Sequence, residues 1–355
     1  MTYATLPLDL AAHRDALARL WAENMNDPAV AGVVHERVRW LYEQNPEGPP
    51  TTLVIDDVGR DGIVGCASVV PRRVRLGGRE VRAGILSDLA VSKRHRIGGP
   101  ALMAQRALIE AARREGYAFL WGYPNKNALP VAKRVGYQFV GESTSWVRPL
   151  RTAPLLRRFG PPPAADVGGA LLDAALALVE GGAALALAPG RAGAHEVQID
   201  ARFDELWARA AGAYDLTGAR GAAYLRWRYE QFPSARHYTF GLTSRRSGAL
   251  AGYVAYRGVS GGRAHVMDLF CEDPARELDA LLLRFVQAAR AAGYASIAID
   301  LIAGDDVYAR LKRLGFVRRP DARSFVVQPL SLDGEGAAAV ADARRWYIVD
   351  GDLDI

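Results

Sequence analysis

The chain has 355 residues, half of them apolar and 24% charged, with a net charge of +6 from 45 Lys+Arg against 39 Asp+Glu. That composition excludes a mostly disordered chain, and two cysteines, Cys66 and Cys271, are too few for a disulfide framework or a four-cysteine zinc site. The arginines are spread along the chain without a long basic tail, so the charge fits an anionic small ligand and calls for no nucleic acid.

The first residues, Met1-Thr2-Tyr3-Ala4-Thr5-Leu6-Pro7, lack a basic and an apolar leader region, which predicts a cytoplasmic protein. Leu10, His13, Leu17, Leu20 and Trp21 are spaced for one face of a helix. A second helix is predicted to carry Arg39-Trp40-Leu41-Tyr42 and to stop near Pro46. Strands follow at Thr52–Asp56, Ile63–Pro71 and Val81–Val91, separated by Gly and Asp turn signals. A long helix runs from about Pro100 to Glu115 and ends at Gly116. Strand Ala118–Tyr123, short helix Ala128–Val135 and strand Gln138–Glu142 complete the unit. The layout is α/β (α+β), a mixed twisted sheet flanked by helices.

The most apolar stretch, Gly168–Ala188, is interrupted by Asp173 and Glu180. A membrane span needs about 20 apolar residues with few or no charges. The expectation is no span but an Ala/Leu-rich helix, weakened at Gly181-Gly182 and packed on protein. The rival reading is a membrane-surface helix.

The chain repeats itself. Arg39-Trp40-Leu41-Tyr42-Glu43-Gln44-Asn45-Pro46 returns as Arg226-Trp227-Arg228-Tyr229-Glu230-Gln231-Phe232-Pro233. Leu20-Trp21, Asp88-Leu89, Gly116-Tyr117-Ala118 and Gly136-Tyr137 return in the same order as Leu206-Trp207, Asp268-Leu269, Gly293-Tyr294-Ala295 and Gly315-Phe316. Two copies of one fold are expected, at 1–150 and 197–330, joined by a linker with the Ala/Leu-rich helix at 151–196 and followed by a tail at 331–355.

The stretch from Leu86 to Met103 carries the chemistry. A strand ends in Val91 and enters a basic, Gly-containing turn, Ser92-Lys93-Arg94-His95-Arg96-Ile97-Gly98-Gly99, which opens the long helix at Pro100. The unpaired N–H groups and positive dipole end of that helix make an anion cradle. The second copy has Glu272, Asp273 and Glu277 at this place, which oppose an anion. One site per chain is therefore expected, with the second copy walling the pocket or making a dimer contact.

With Val91, Arg96, Gly99 and Ala101, this turn resembles the GNAT acetyltransferase superfamily, whose Arg/Gln-x-x-Gly-x-Gly/Ala turn holds the pyrophosphate of acetyl-coenzyme A. Lys93 and Ile97 stand where that family usually has Pro and Gly. Asn125-Lys126-Asn127-Ala128 and Val135-Gly136-Tyr137 resemble its later segments. The resemblance implies one acetyl-CoA per chain, held in the N-terminal domain by Arg94, Arg96, Ile97, Gly98, Gly99 and Ala101. It implies an oxyanion donor among the N–H groups of Leu89, Ala90 and Val91. The family's usual Tyr acid falls at Ala132, leaving Tyr123 or Ser87 as substitutes. Asp88 is a candidate base or a hydrogen-bonded turn residue. His95 is a base by its ordinary pKa or a residue solvated or on phosphate. Asn125 is read as a pantetheine ligand and Asn127 as a helix cap. Trp40 and Trp227 are read as core, and Arg39 and Tyr42 as acceptor-side residues. No His pair has metal spacing, so no metal is expected.

Tandem copies with a late Trp346-Tyr347…Asp350-Gly351-Asp352 tail look similar to bacterial polysaccharide and nucleotide-amino-sugar N-acetyltransferases. The expected acceptor is a small-molecule amine, in particular a nucleotide-linked amino sugar. The alternatives are a Fem-type aminoacyl transferase, a non-catalytic acyl-CoA-binding protein and a peptide N-acetyltransferase. A homodimer is also considered.

Overall fold

The structure, a computed structural model, describes residues 2–24, 32–97, 99–187 and 189–353. Gly98 of the turn lies outside the described residues. The first copy supplies strands β1 (Tyr3–Pro7), β2 (Thr51–Asp57), β3 (Gly62–Leu76), β4 (Arg79–Val91), β5 (Phe119–Gly122) and β6 (Gln138–Pro149). Its helices are α1 (Leu10–Asn24), α2 (Val34–Val38), α3 (Pro100–Arg114) and α4 (Leu129–Arg134). Two differences from expectation have simple causes. Strand β1 is short and sits at the sheet edge, where one neighbour, β2, supplies its hydrogen bonds, so its sequence carries little alternation. Strand β3 runs past Pro71 because β4 folds back on it through Gly77-Gly78, both at positive φ (54° and 87°).

After α5 (Ala153–Leu156) and α6 (Pro162–Leu187), the second copy supplies β7 (Arg191–Ala194), α7 (Ala201–Ala210), β8 (Leu216–Gly218), α8 (Ala222–Leu225), β9 (Tyr238–Ser244), β10 (Leu250–Val259) and β11 (Arg263–Cys271). Helix α9 (Pro274–Ala291), β12 (Ser296–Ile302), α10 (Asp305–Arg313), β13 (Val317–Pro329), α11 (Gly334–Val340) and β14 (Ile348–Val349) follow. The strands form one mixed sheet in the order β1-β2-β3-β4-β5-β13-β6-β12-β11-β10-β9-β7. The copies have thus exchanged their last strands. Strand β13 of the second copy pairs with β5, β6 of the first pairs with β12, and β6 and β13 pair with each other.

The Arg-Trp-x-Tyr motifs do not continue an α-helix. Each forms a wider π turn, closed by Gln44 N–H on the Arg39 carbonyl (3.1 Å) and Gln231 N–H on the Arg226 carbonyl (3.0 Å). The turns aim Trp40 and Trp227 at each other. The rings stack 4.3 Å apart at 7°, and each indole N–H donates to the other's carbonyl (2.7 and 2.8 Å). Both are buried, as read from the repeat.

Helix α6 departs from expectation in two ways. It runs through Gly181-Gly182 to Leu187, and it is turned over. Its buried stripe is Ala165, Gly169, Asp173, Glu180 and Ala184, with Glu180 on Arg148 and Arg290. Val167, Leu171, Leu172, Leu178, Val179 and Leu185 are exposed. By length and composition this helix could cross a membrane, which is weak evidence for one span.

Candidate active site

Strands β4 and β5 run parallel, but their register covers only Gly84↔Leu120 and Ile85↔Trp121. Beyond that, β5 ends at Gly122 while β4 continues to Val91. The splay is a cleft of about 130 Å³, lined by Leu86, Ser87, Leu89, Gln105, Tyr123, Pro124, Asn125, Ala128 and Ala132. A β-bulge shapes it. The β3–β4 register slips between Cys66↔Ala90 and Ser68↔Ser87, and Asp88 sits there at φ 53°. The extra residue lets Leu86 and Leu89, three apart, both pack on the α3 face, which strict alternation forbids.

Among the described residues lining this cleft, Gln105 Oε1 and the Tyr123 hydroxyl are buried with no hydrogen-bond partner. Unpaired buried polar atoms are costly, on the order of 1–3 kcal/mol each. A polar ligand arm lying between β4 and β5 would satisfy them. Burial pushes the Tyr123 hydroxyl well above the usual tyrosine range, with the Arg323 charge pulling the other way. Tyr123 therefore holds its proton at neutral pH. Ala132 also lines the cleft.

The backbone edge is also available. Ser92 N–H donates to the Val64 carbonyl in β3 (2.8 Å). Amide directions alternate along a strand, so the N–H groups of Val91 and Leu89 point to the opposite edge, where β5 has ended. Ala90 faces β3 instead, paired with Cys66.

The turn into α3 differs from expectation in its detail. Gly99 is the cap residue at φ 86°, Pro100 opens the helix, and the first turn has neither a side-chain cap nor an acid. Lys93 and Arg94 line a second cavity with Arg19 and Glu23 of α1. Ile97 is 89% exposed. Arg96 turns back, donating to the Val91 carbonyl (3.1 Å) and to Asn24 (2.8 Å), so it braces the turn. His95 is neither solvated nor free to act as a base. It is buried between Tyr3 (3.1 Å) and Asp61 (3.1 Å) and pins the turn to the β2–β3 corner.

The capping role falls to Asn125, not to Asn127. Asn125 Oδ1 accepts from the N–H groups of Asn127 and Ala128 (both 3.0 Å), so Asn125 is the turn cap, and both asparagines are exposed. Asn125 still lines the cleft.

Asp88 points to the other face of the sheet, toward α1 and α2. Its Oδ1 accepts from Arg37 (2.7 Å), its Oδ2 is buried without a partner, and its carbonyl accepts from the Cys66 thiol (3.2 Å). Desolvation raises its carboxyl above the ordinary range, opposed by Arg37. Arg37 lies 4.0 Å over the Trp21 ring. Tyr42 is buried nearby, its hydroxyl committed to Ser68 and Thr52 (both 3.2 Å), which removes it as a free acceptor ligand. Arg39 is exposed at the start of its π turn.

Sequence reasoning missed Gln105, Arg37 and Arg323. Gln105 left a signal, as a polar residue among the buried positions of α3 beside Ala104 and Leu108. The other two are set by distant chain. Among the described residues, two His–Asp groups also come within metal-ligand reach, Asp57/Asp61/His95 and His265/Asp300/Asp350. The second contains the Arg323 guanidinium, paired with both aspartates, which opposes a cation.

In the second copy the equivalent cleft is filled. Strands β11 and β12 are in register over Arg263–Val266, and beyond it β14 pairs with Leu301 and Ile302 of β12. Tyr347 donates to the Leu269 carbonyl, and Asp352 accepts from Arg220 (2.7 Å) and Arg72 (3.3 Å). The tail that suggested an acceptor class by resemblance is thus core of the second copy.

Residues 11–140 match the family described as acetyltransferase (GNAT) domain. Among solved structures, the chain is similar to a GCN5-related N-acetyltransferase from Anabaena variabilis (TM-score 0.67, 13% identity, covering 97% of this chain and 75% of that one). It is similar to another from Kribbella flavida (0.60, 17%, 97% and 74%) and to Saccharomyces cerevisiae N-myristoyltransferase with bound myristoyl-CoA (0.54, 12%, 93% and 79%). At these identities the likeness is one of fold. No curated protein sequence matches the chain.

Proposed function

From the premise of an N-acetyltransferase enzyme with a GNAT-like fold, we propose that the chain moves an acetyl group from acetyl-CoA to a primary amine, at one site in its first copy. The observation that carries this is the convergence of two orphaned buried polar atoms, Gln105 Oε1 and the Tyr123 hydroxyl, and an uncapped helix N-terminus at the β4–β5 splay. Ser87, Gln105 and the Val91 backbone edge would hold the pantetheine arm, and the α3 N-terminus its pyrophosphate. The bound coenzyme supplies the acyl thioester.

The remaining chemistry belongs to the chain. Asp88, raised by burial and with a free Oδ2, takes the proton from the incoming amine. The Val91 N–H donates to the carbonyl oxygen as charge gathers there. Tyr123 gives its proton to the departing sulfur. The acceptor class proposed is a nucleotide-linked amino sugar, supported by the sequence resemblance and by Arg19, Lys93 and Arg94 beside the turn. The exposed apolar face of α6 supports a second copy of the chain as partner.

Titration calorimetry of acetyl-CoA tests the reading. One site per chain, lost in Gly99→Asp, is expected, followed by thiol release in a screen of nucleotide-linked amino sugars. Failure of the wild type to bind overturns it. The small residue at Ala132 favours a second reading, a non-catalytic acyl-CoA-binding protein, which thiol release with any amine removes.

A further inference from the structure

We infer that Arg323, a residue of the second copy, is a positioning residue for the acid step in the first copy; this rests on the reading of Tyr123 as that acid. The strand exchange puts it there. Strand β13 lies antiparallel to β5, with Val326 opposite Gly122, and runs on beyond the end of β5 alongside the cleft. Phe325 packs against the Tyr123 ring (5.1 Å between centroids), and the Arg323 guanidinium carbon lies 5.7 Å from that ring's centre.

The guanidinium is fixed. It pairs with Asp350 and with Asp300 (3.3 Å), and Asp350 is held in turn by His265 (2.8 Å). Asp350 comes from the tail that fills the second copy's cleft. The packed cleft therefore anchors a charge that serves the open one. The Tyr123 hydroxyl has no hydrogen-bond partner and Tyr123 lines the cleft, while the cation sits against its ring.

The step balances simply. The Tyr123 O–H bond breaks, an S–H bond forms on the leaving thiolate, and the electron pair stays on the phenolate oxygen. In a buried site that new anion is unfavourable unless a positive charge is near. Arg323 supplies it, and solvent water returns the proton after product leaves. Asp350, Asp352 and Tyr308 oppose the effect, and the pairing with Asp300 and Asp350 keeps the guanidinium from swinging away.

The test is acceptor-free release of thiol from acetyl-CoA by water, which needs the same proton on sulfur. Tyr123→Phe, Arg323→Gln, Arg323→Lys and the Tyr123→Phe/Arg323→Gln double variant are compared. Arg323→Gln should lower kcat about tenfold, one pKa unit's worth, with KM for acetyl-CoA within about twofold. Arg323→Lys, which keeps the ion pair with Asp350, should recover part of the loss. In the Tyr123→Phe background Arg323→Gln should cost nothing more. An unchanged kcat in Arg323→Gln, or an additive loss in the double variant, overturns the inference and leaves the acid reading standing. Full activity of Tyr123→Phe removes the acid reading and the inference with it. A wild type that releases no thiol overturns both.

Discussion

Helices α3 and α9 stand at the same point of the two copies and begin in opposite ways. Helix α3 starts at a left-handed glycine with no side-chain cap and no acid in its first turn. Helix α9 is capped by Asp273, which accepts from the N–H groups of Ala275 and Arg276, and carries Glu277 in its first turn. The second helix has spent its anion site on its own carboxylate. The strands ahead of them differ in the same sense. The first splay is open and keeps orphaned polar atoms, and the second is closed by β14. The buried aspartates follow. Asp268 is satisfied by Arg220 (3.1 Å), Tyr253 (2.7 Å) and the Leu269 N–H (2.9 Å), whereas Asp88 keeps one oxygen free. The two regions thus differ as an open cleft and a packed core, according to whether their polar groups are answered from within the chain.

The largest expected effect comes from making the first helix resemble the second. Gly99→Asp should weaken acetyl-CoA binding by on the order of 100-fold in calorimetry, from the added charge and the strained φ. Gly99→Asn tolerates the left-handed region and adds no charge, so it should retain most of the affinity. Equal losses in the two would break the electrostatic part of the comparison.

The two aspartates should then separate. Asp88→Asn is expected to cut kcat/KM by roughly 100-fold, within the range of a lost general base, and to lower stability as well, because its buried pair with Arg37 is lost. Asp268→Asn should destabilise the fold by about 3 kcal/mol, as one partner of a buried pair is lost, with normal activity per folded molecule. Urea titration and initial rates decide between them.

The pH dependence sharpens the role of Asp88. Its carboxyl is raised by burial, and a base must be ionised to act. The acid limb of kcat/KM should therefore lie above the ordinary aspartate value of about 3.9, and Asp88→Asn should lose it. The stability term has the opposite sign. A raised folded pKa favours the fold below the unfolded value, and that contribution is lost as pH rises through the folded one. A limb at the ordinary value would remove Asp88 as base.

At the junction of the copies, Trp40→Ala and Trp227→Ala should cost about 3–5 kcal/mol each, and similar amounts, because each ring stacks on and bonds to the other. A large inequality in chemical denaturation would show that the copies do not share the contact evenly. The smallest stability effect is expected on α6. Leu172→Glu, at an exposed position, should change stability within about 0.5 kcal/mol while shifting a dimer to monomer in analytical ultracentrifugation. A monomeric wild type would remove the partner reading.

Much of this was legible from local sequence. Helix and strand order, the uncapped turn before Pro100 and the acids of the second copy follow from periodicity and capping chemistry, which act over a few residues. The repeat exposed the paired tryptophans because the same motif occurs twice. The cap fell to Asn125 instead of Asn127 because two nearby Asx residues offer the same local chemistry, and only geometry picks one. Burial of His95 and Tyr42 was hidden because their partners, Asp61 and Ser68, lie 34 and 26 residues away.

The sequence by itself determined a mixed α/β fold and a helix start without cap or acid at Gly99-Pro100, against an acid-capped one at Asp273-Pro274. Tertiary structure alone decided the exchange of β6 and β13, the filling of the second splay by the tail, and the arrival of Arg323 beside Tyr123. The reason is physical. A strand's pattern says which face it buries, but either copy offers β13 and β6 an edge of the same kind, so the choice between them rests on long-range packing.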